Sequence, residues 1–210
     1  MKIFLIIISV LTTYAGISQG DTEYQDTRRK TESFAKVREP EIRKDLATFT
    51  LSGIPESVAK EEFKKIPFTS FGTDSMKFEG DGIKVIVYTR PFEESKHKLM
   101  YDEKWLVRID KKTYYGGYPA KPFKEISSII LTIDDDSVQI PAAAFGDLYN
   151  LNFTYMDKGI NRSRNGIYRS KDGTRIYLYL FSKDNTGSYE ITWVIQGKKY
   201  LRRVLDYNIM

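Results

Sequence analysis

Three consecutive runs near the C-terminus, residues 175–182, 188–196 and 199–206, are each strand-length and rich in Ile, Tyr, Val and Trp. Turn residues separate them: a longer connection at 183–187 and a tight Gly197-Lys198 pair. Asp172-Gly173 and the run 167–170 precede them. Aromatic and β-branched runs punctuated in this way predict an antiparallel meander. A two-residue hairpin at 197–198 would oppose Ile195 to Tyr200, Trp193 to Arg202 and Ile191 to Val204. Alternation then gathers Ile176, Leu178, Leu180, Ile191, Trp193, Ile195 and Val204 on a core face. The other face carries Tyr177, Tyr179, Phe181, Thr192, Val194, Leu201 and Leu205, which is too aromatic for a wetted sheet face. Two readings compete for it. Either a second layer covers it, another sheet or a helix at 57–65, or it is an exposed Tyr/Phe platform for sugar rings or a partner protein.

Upstream, residues 46–51 read as a first strand and 57–65 as a helix with Ser57 as its N-cap. Runs 75–79 and 83–89 form a hairpin around Gly80-Asp81-Gly82, and 129–133 with 138–140 form another around 134–137. Residues 104–110 predict a strand with Trp105, Val107 and Ile109 on one face. Tyr114, Tyr115 and Tyr118 lie in an aromatic loop broken by Gly116, Gly117 and Pro119. A short helix is expected over 141–150 and a polar, basic loop over 157–166. The fold expected is mainly β: one domain over 46–210, an antiparallel two-layer sandwich or partly open barrel with one or two short helices. Residues 21–45, dominated by charge, read as a flexible lead-in.

The N-terminus points to a compartment. Lys2 precedes an apolar run over 3–11, and Ser18-Gln19-Gly20 supplies small residues before Asp21, the pattern of a signal peptide over 1–20. The expectation is export to the periplasm or the exterior. The chain has no cysteine, which excludes disulfides, thiolate catalysis and a lipidated cysteine. No later run of 18 apolar residues suggests a transmembrane segment after the leader. With Lys2 set aside, 32 basic residues face 28 acidic ones, too even a balance for a nucleic-acid-binding protein.

Catalytic signals are poor. His97 is the only histidine and sits in a charged stretch that reads as solvated surface. Three S-x-x-K matches, at 33–36, 57–60 and 95–98, lack the companion motifs of penicillin-recognising enzymes. Asp134-Asp135-Asp136 lacks EF-hand spacing. Gly80-Asp81-Gly82 and Gly116-Gly117 lack the strand–loop–helix setting of a phosphate loop. The sequence thus implies no cofactor and no metal. Arg162, Arg164, Arg169, Lys171 and Arg175 cluster around one loop, either as a solvated face or as an anion-binding surface.

The runs 167–179, 187–195 and 199–204 resemble exported β-rich proteins of Bacteroidota-type bacteria to which no activity is assigned; Tyr115-Gly116-Gly117 and 140–149 share the likeness. The resemblance implies a bacterial exported protein and adds no catalytic residue. The function expected is a non-enzymatic exported protein that binds a glycan or a protein of the envelope or exterior through aromatic residues. Tyr114, Tyr115, Tyr118, Tyr177 and Tyr179 are its candidate contacts. The alternative is a hydrolase of envelope polymers, marked by a pocket holding two carboxyl groups with perturbed pKa.

Overall fold

Five two-residue turns set the strands. Asp81-Gly82, Asp110-Lys111, Asp134-Asp135, Lys158-Gly159 and Gly197-Lys198 each place both residues at positive φ. That is the primed turn geometry whose twist matches paired antiparallel strands. Gly82 is needed for space as well, because a Cβ there would lie 2.3 Å from the Asp134 carboxylate. The computed structural model describes residues 32–57, 63–115, 120–183, 187–207 and 209. In chain order they contain helix α1 (Pro40–Leu46) and strands β1 (Lys64–Ile66), β2 (Phe68–Phe71), β3 (Ser75–Gly80), β4 (Ile83–Pro91), β5 (Leu99–Asp102), β6 (Trp105–Ile109) and β7 (Lys112–Thr113). There follow β8 (Lys124–Ile133), β9 (Asp136–Val138), β10 (Tyr155–Asp157), β11 (Ile160–Arg162), β12 (Gly166–Arg169), β13 (Arg175–Lys183), β14 (Ser188–Gln196) and β15 (Lys199–Tyr207).

Two antiparallel five-stranded sheets face each other. One has the order β1-β12-β13-β14-β15, the other β2-β3-β4-β8-β9, and neither order closes into a barrel. Their inner faces share one core, with Met76, Phe78, Val85, Val87 and Leu131 from the second sheet against Ile167, Leu178, Leu180, Ile191 and Trp193 from the first. This is the expected two-layer sandwich. A bulge where Tyr88 meets Ser128 and Thr89 meets Ile126 lets β8 keep Ile126 in phase with Ile129, Leu131 and Ile133 on the core side. Strands β5–β7 form a small separate sheet over Leu106, Ile109, Tyr114 and Tyr149.

Several local expectations give way. Residues 46–51 are not a strand: α1 ends at Leu46 and turns follow. Pro40 in the first turn fixes a helical φ, Ile42 and Leu46 bury one i,i+4 stripe, and Thr50 Oγ1 donates back to Leu46 O at 2.9 Å. The charged segment from residue 32 onward is packed rather than a free lead-in, with Phe34, Val37, Ile42, Leu46 and Ala47 buried against Tyr177, Val194 and Val204. Of the helix expected over 57–65, residues 58–62 lie outside the described residues, and Lys64–Ile66 is strand β1. Residues 141–150 hold one 3-10 turn, Ala142–Ala144. The loop expected over 157–166 contains strand β11 and the end of β10. On β6 the buried residues are Leu106 and Ile109, because a bulge in the β5–β6 pair shifts the phase away from Trp105 and Val107.

The meander register begins as expected and then slips. Ile195 opposes Tyr200, but Leu201 is left out as a bulge, so Trp193 opposes Arg203 and Ile191 opposes Leu205. One extra residue exchanges the faces. Leu205 joins the sandwich core, and Val204 turns outward under α1. No helix among the described residues is long and apolar enough to cross a membrane.

Candidate functional site

The tyrosines singled out from sequence are placed mostly inside. Tyr177 is fully buried; its hydroxyl donates to Asp45 Oδ2 at 2.5 Å and accepts from Arg175 Nε at 2.9 Å. Tyr179 is 4% exposed and donates to Glu190 Oε2 at 2.8 Å. Burial and these carboxylates push both phenols well above the ordinary tyrosine range. Phe181 is buried beside them. The exposed-platform reading of this face is therefore corrected. The second layer is the segment 34–50, with Phe49 stacked on Tyr168 at 4.4 Å and tilted over Tyr177 at 5.5 Å. Tyr114 is fully buried under the small sheet, and Tyr115 is half-buried near Tyr207 at 5.9 Å. Tyr118 lies outside the described residues.

A carboxylate pair fastens this second layer. Glu190 on β14 and Asp206 on β15 are cross-strand partners. Glu190 accepts from the backbone N–H groups of Leu51 and Ser52 at 2.8 Å each, and Asp206 accepts from that of Phe34 at 2.8 Å. Desolvation, with Glu190 adding repulsion, raises Asp206 to about 6. Two facing carboxyl groups are what a hydrolase would use, yet here the donors that fill them are the chain's own groups, backbone amides and the Tyr179 hydroxyl. The pair is a latch.

The latch has a pH signature. A carboxyl raised in the folded state binds its proton more tightly there than in the unfolded chain. Its stabilising effect is complete below the ordinary value of 3.8 and is lost as pH rises through about 6. Asp206→Asn keeps an acceptor for Phe34 N–H without the charge. It is expected to stabilise the protein at pH 7 by on the order of 2 kcal/mol and to remove this dependence. Urea unfolding of both proteins between pH 4 and 7 checks it, and a constant difference across that window would rule the latch titration out.

His97, expected in solvent, is wedged between two carboxylates. Its Nδ1 lies 2.7 Å from Asp110 Oδ2 and its Nε2 lies 3.2 Å from Glu125 Oε2. Phe92 stacks on the imidazole at 4.6 Å. Glu125 also accepts from Arg90 Nε at 2.6 Å, and Asp110 accepts from Lys98 N–H at 2.8 Å. The Lys98 amide and then His97 hold the Asp110 carboxyl below its ordinary range. The arrangement ties β5–β7 to β4 and β8, and it does not assemble a metal centre among the described residues. Contacts separated by 13 and 28 positions along the chain left no local signal for it.

The most open chemistry lies beside the β10–β11 hairpin, in a region that read as polar loop. The two strands pair only with each other, and five of their six residues are exposed. Tyr155, Met156 and Ile160 are exposed at 40%, 64% and 59%. Next to this arm is a cleft of about 210 Å³ lined by Phe153, Tyr155, Arg164, Phe181 and Lys183 among others. The Arg164 guanidinium lies 5.0 Å over the Tyr155 ring and 5.4 Å over Phe181. Lys124 Nζ lies 4.7 Å over Phe153 and 5.6 Å over the exposed Phe123, and burial lowers its pKa. Buried Asn165 sets the walls: its amide donates to Asn152 O and Phe153 O, and its carbonyl accepts from Phe181 N–H at 2.9 Å. The result is an aromatic floor with cations over its rings, suited to flat or anionic groups. Comparison of the chain with protein-family models, with curated proteins and with solved structures finds no match.

Proposed function

We propose that this is a non-catalytic, exported binding protein that takes a protein partner of the cell envelope or exterior on the β10–β11 arm and its cleft. The exposure of Tyr155, Met156 and Ile160 on a hairpin whose strands pair only with each other carries the reading. An isolated two-stranded hairpin has little stability, and large exposed apolar side chains clustered on one element mark interaction surfaces. Met and Ile beside an Arg over Tyr fit a protein interface better than a sugar, which aromatic faces alone would serve. The leader pattern over 1–20 and the likeness to exported bacterial proteins support the compartment. Glu190 and Asp206, filled by backbone amides, give the hydrolase alternative no substrate-facing pair.

The test is a photo-crosslinking residue at position 156 in the exported protein, with one at exposed Lys158 as a neighbouring control and one at exposed Thr69 on strand β2 as a remote control. A discrete protein adduct from positions 156 and 158 but not 69 is expected. It should disappear in the Tyr155→Ser, Ile160→Ser variant, whose stability should lie within about 0.5 kcal/mol of the parent. Absence of an adduct, or binding only to a glycan panel, would overturn the protein-partner reading.

A further inference from the structure

We infer that the cleft at the edge of the first sheet, between β1 and the turn after β12, is a binding site for a phosphate or sulfate group, separate from the arm. Lys64 on β1 and Arg169 on β12 are direct cross-strand partners. Like charges placed opposite each other weaken a sheet unless a counter-charge sits between them. Neither is neutralised by the other's strand. Arg169 Nε is buried and has no hydrogen-bond partner among the described residues. A buried guanidinium N–H without an acceptor costs free energy. Lys64 pairs at the rim with Asp81 Oδ1 at 2.9 Å, through a side chain that is 62% exposed. Exposed pairs of this kind hold weakly, so the ammonium can turn inward.

Lys64, Arg169 and Lys171 line one cleft of about 690 Å³, with the turn Ser170–Gly173 as its wall. Gly173, at φ +73, shapes that turn, and the Arg169 guanidinium lies against it, its Nε and Nη2 at contact distance, 3.5 Å, from where a Cβ would stand. The one carboxylate in the wall, Asp172, is already occupied. It accepts from Ser170 Oγ at 2.5 Å, Thr174 N–H at 3.0 Å and Thr174 Oγ1 at 2.8 Å, and faces Arg175 Nη2 at 3.5 Å. These contacts, the Ser170 hydroxyl first, hold its carboxyl down at about 2. What remains is a cationic concavity with a planar, multi-donor group at its base. A tetrahedral oxyanion carries enough acceptors to reach Arg169 and a lysine together, where a single carboxylate would fill one.

The test is the melting temperature in millimolar sodium phosphate or sulfate against sodium chloride at equal ionic strength. Dextran sulfate and polyphosphate serve as polymer-borne forms of the same groups. The parent protein is expected to melt higher with the oxyanions. Arg169→Gln should weaken apparent affinity about tenfold or more. Lys64→Glu supplies a carboxylate in place of the ligand: it should melt higher than the parent in chloride and lose the oxyanion response. A stronger response to the polymers than to the free ions would assign the group to a polyanionic chain, and the reverse to a small ion. No rise in the parent beyond chloride, or an equal rise in Lys64→Glu, would overturn the site. Neither outcome bears on the arm.

Discussion

Asp147→Ala is expected to cost about 3–5 kcal/mol, the largest loss from any single side chain outside the apolar core. Asp147 and Arg203 form a two-pronged pair, Oδ1 to Nη1 at 2.6 Å and Oδ2 to Nη2 at 2.8 Å. Their side chains are only 6% and 10% exposed. Arg203 also donates to Ala144 O at 3.2 Å and to Glu32 Oε2 at 3.0 Å, and Trp193 Nε1 donates to the same Ala144 carbonyl at 2.9 Å. Removing the aspartate takes both prongs from the buried guanidinium beside the tryptophan and leaves it the Ala144 carbonyl and the partly exposed Glu32. Removing both charges leaves no buried charge behind, since Glu32 is 35% exposed and turns to water. The double variant Asp147→Ala, Arg203→Met should therefore recover most of the loss, since the methionine fills the stem's volume without needing acceptors. Urea unfolding of the parent, the two single variants and the double variant completes the cycle. A loss below about 1 kcal/mol for Asp147→Ala would show that water reaches the pair.

Glu190→Ala should open the layer over the first sheet. The glutamate collects three donors, two amides and the Tyr179 hydroxyl. Bonds to a charged acceptor contribute about 1.5–3 kcal/mol each, and the two amides act together on one short segment. Loss of the repulsion on Asp206 offsets part of this. A net cost of about 3 kcal/mol is expected, together with rapid protease cleavage around residues 47–57 while the sandwich stays intact. Limited proteolysis followed by mass mapping reads this directly. A variant cut no faster than the parent in that segment would mean that Phe34, Ile42 and Leu46 hold the layer without the latch.

Much of this architecture was readable because its turns carry glycine. Asp81-Gly82 and Gly197-Lys198 announce their hairpins, and the strands beside them appear with nearly correct limits. Asp134-Asp135 takes the same backbone shape without glycine, and its hairpin was legible from the acidic run between two apolar ones; Asp110-Lys111 also lacks glycine, and there sequence shows a charged stretch and not a turn. The slip at Leu201 has a different origin. Both registers place apolar residues inward, and only packing chooses between Val204 and Leu205. The covering segment was unreadable because its few apolar residues are spaced among charges whose partners lie far along the chain. Alternation over 46–51 also fits the i,i+4 spacing that continues α1. The tyrosines drew attention by abundance, yet the aromatic residues open to solvent among the described ones stand elsewhere: Phe71, Tyr88, Tyr101, Phe123 and Tyr155.

The layer over the first sheet has a kinetic consequence. Phe34 is fastened to a residue 172 positions later, and Leu51 to one 139 positions later. The loop these contacts close is nearly the whole domain, and long-range closure slows folding even where it adds little to the entropy cost. The first-made part of the domain is therefore the last to be secured. Until β15 pairs with β14, Phe34 has no Asp206 to bind, so the layer over Tyr177 and Val194 is expected to close late.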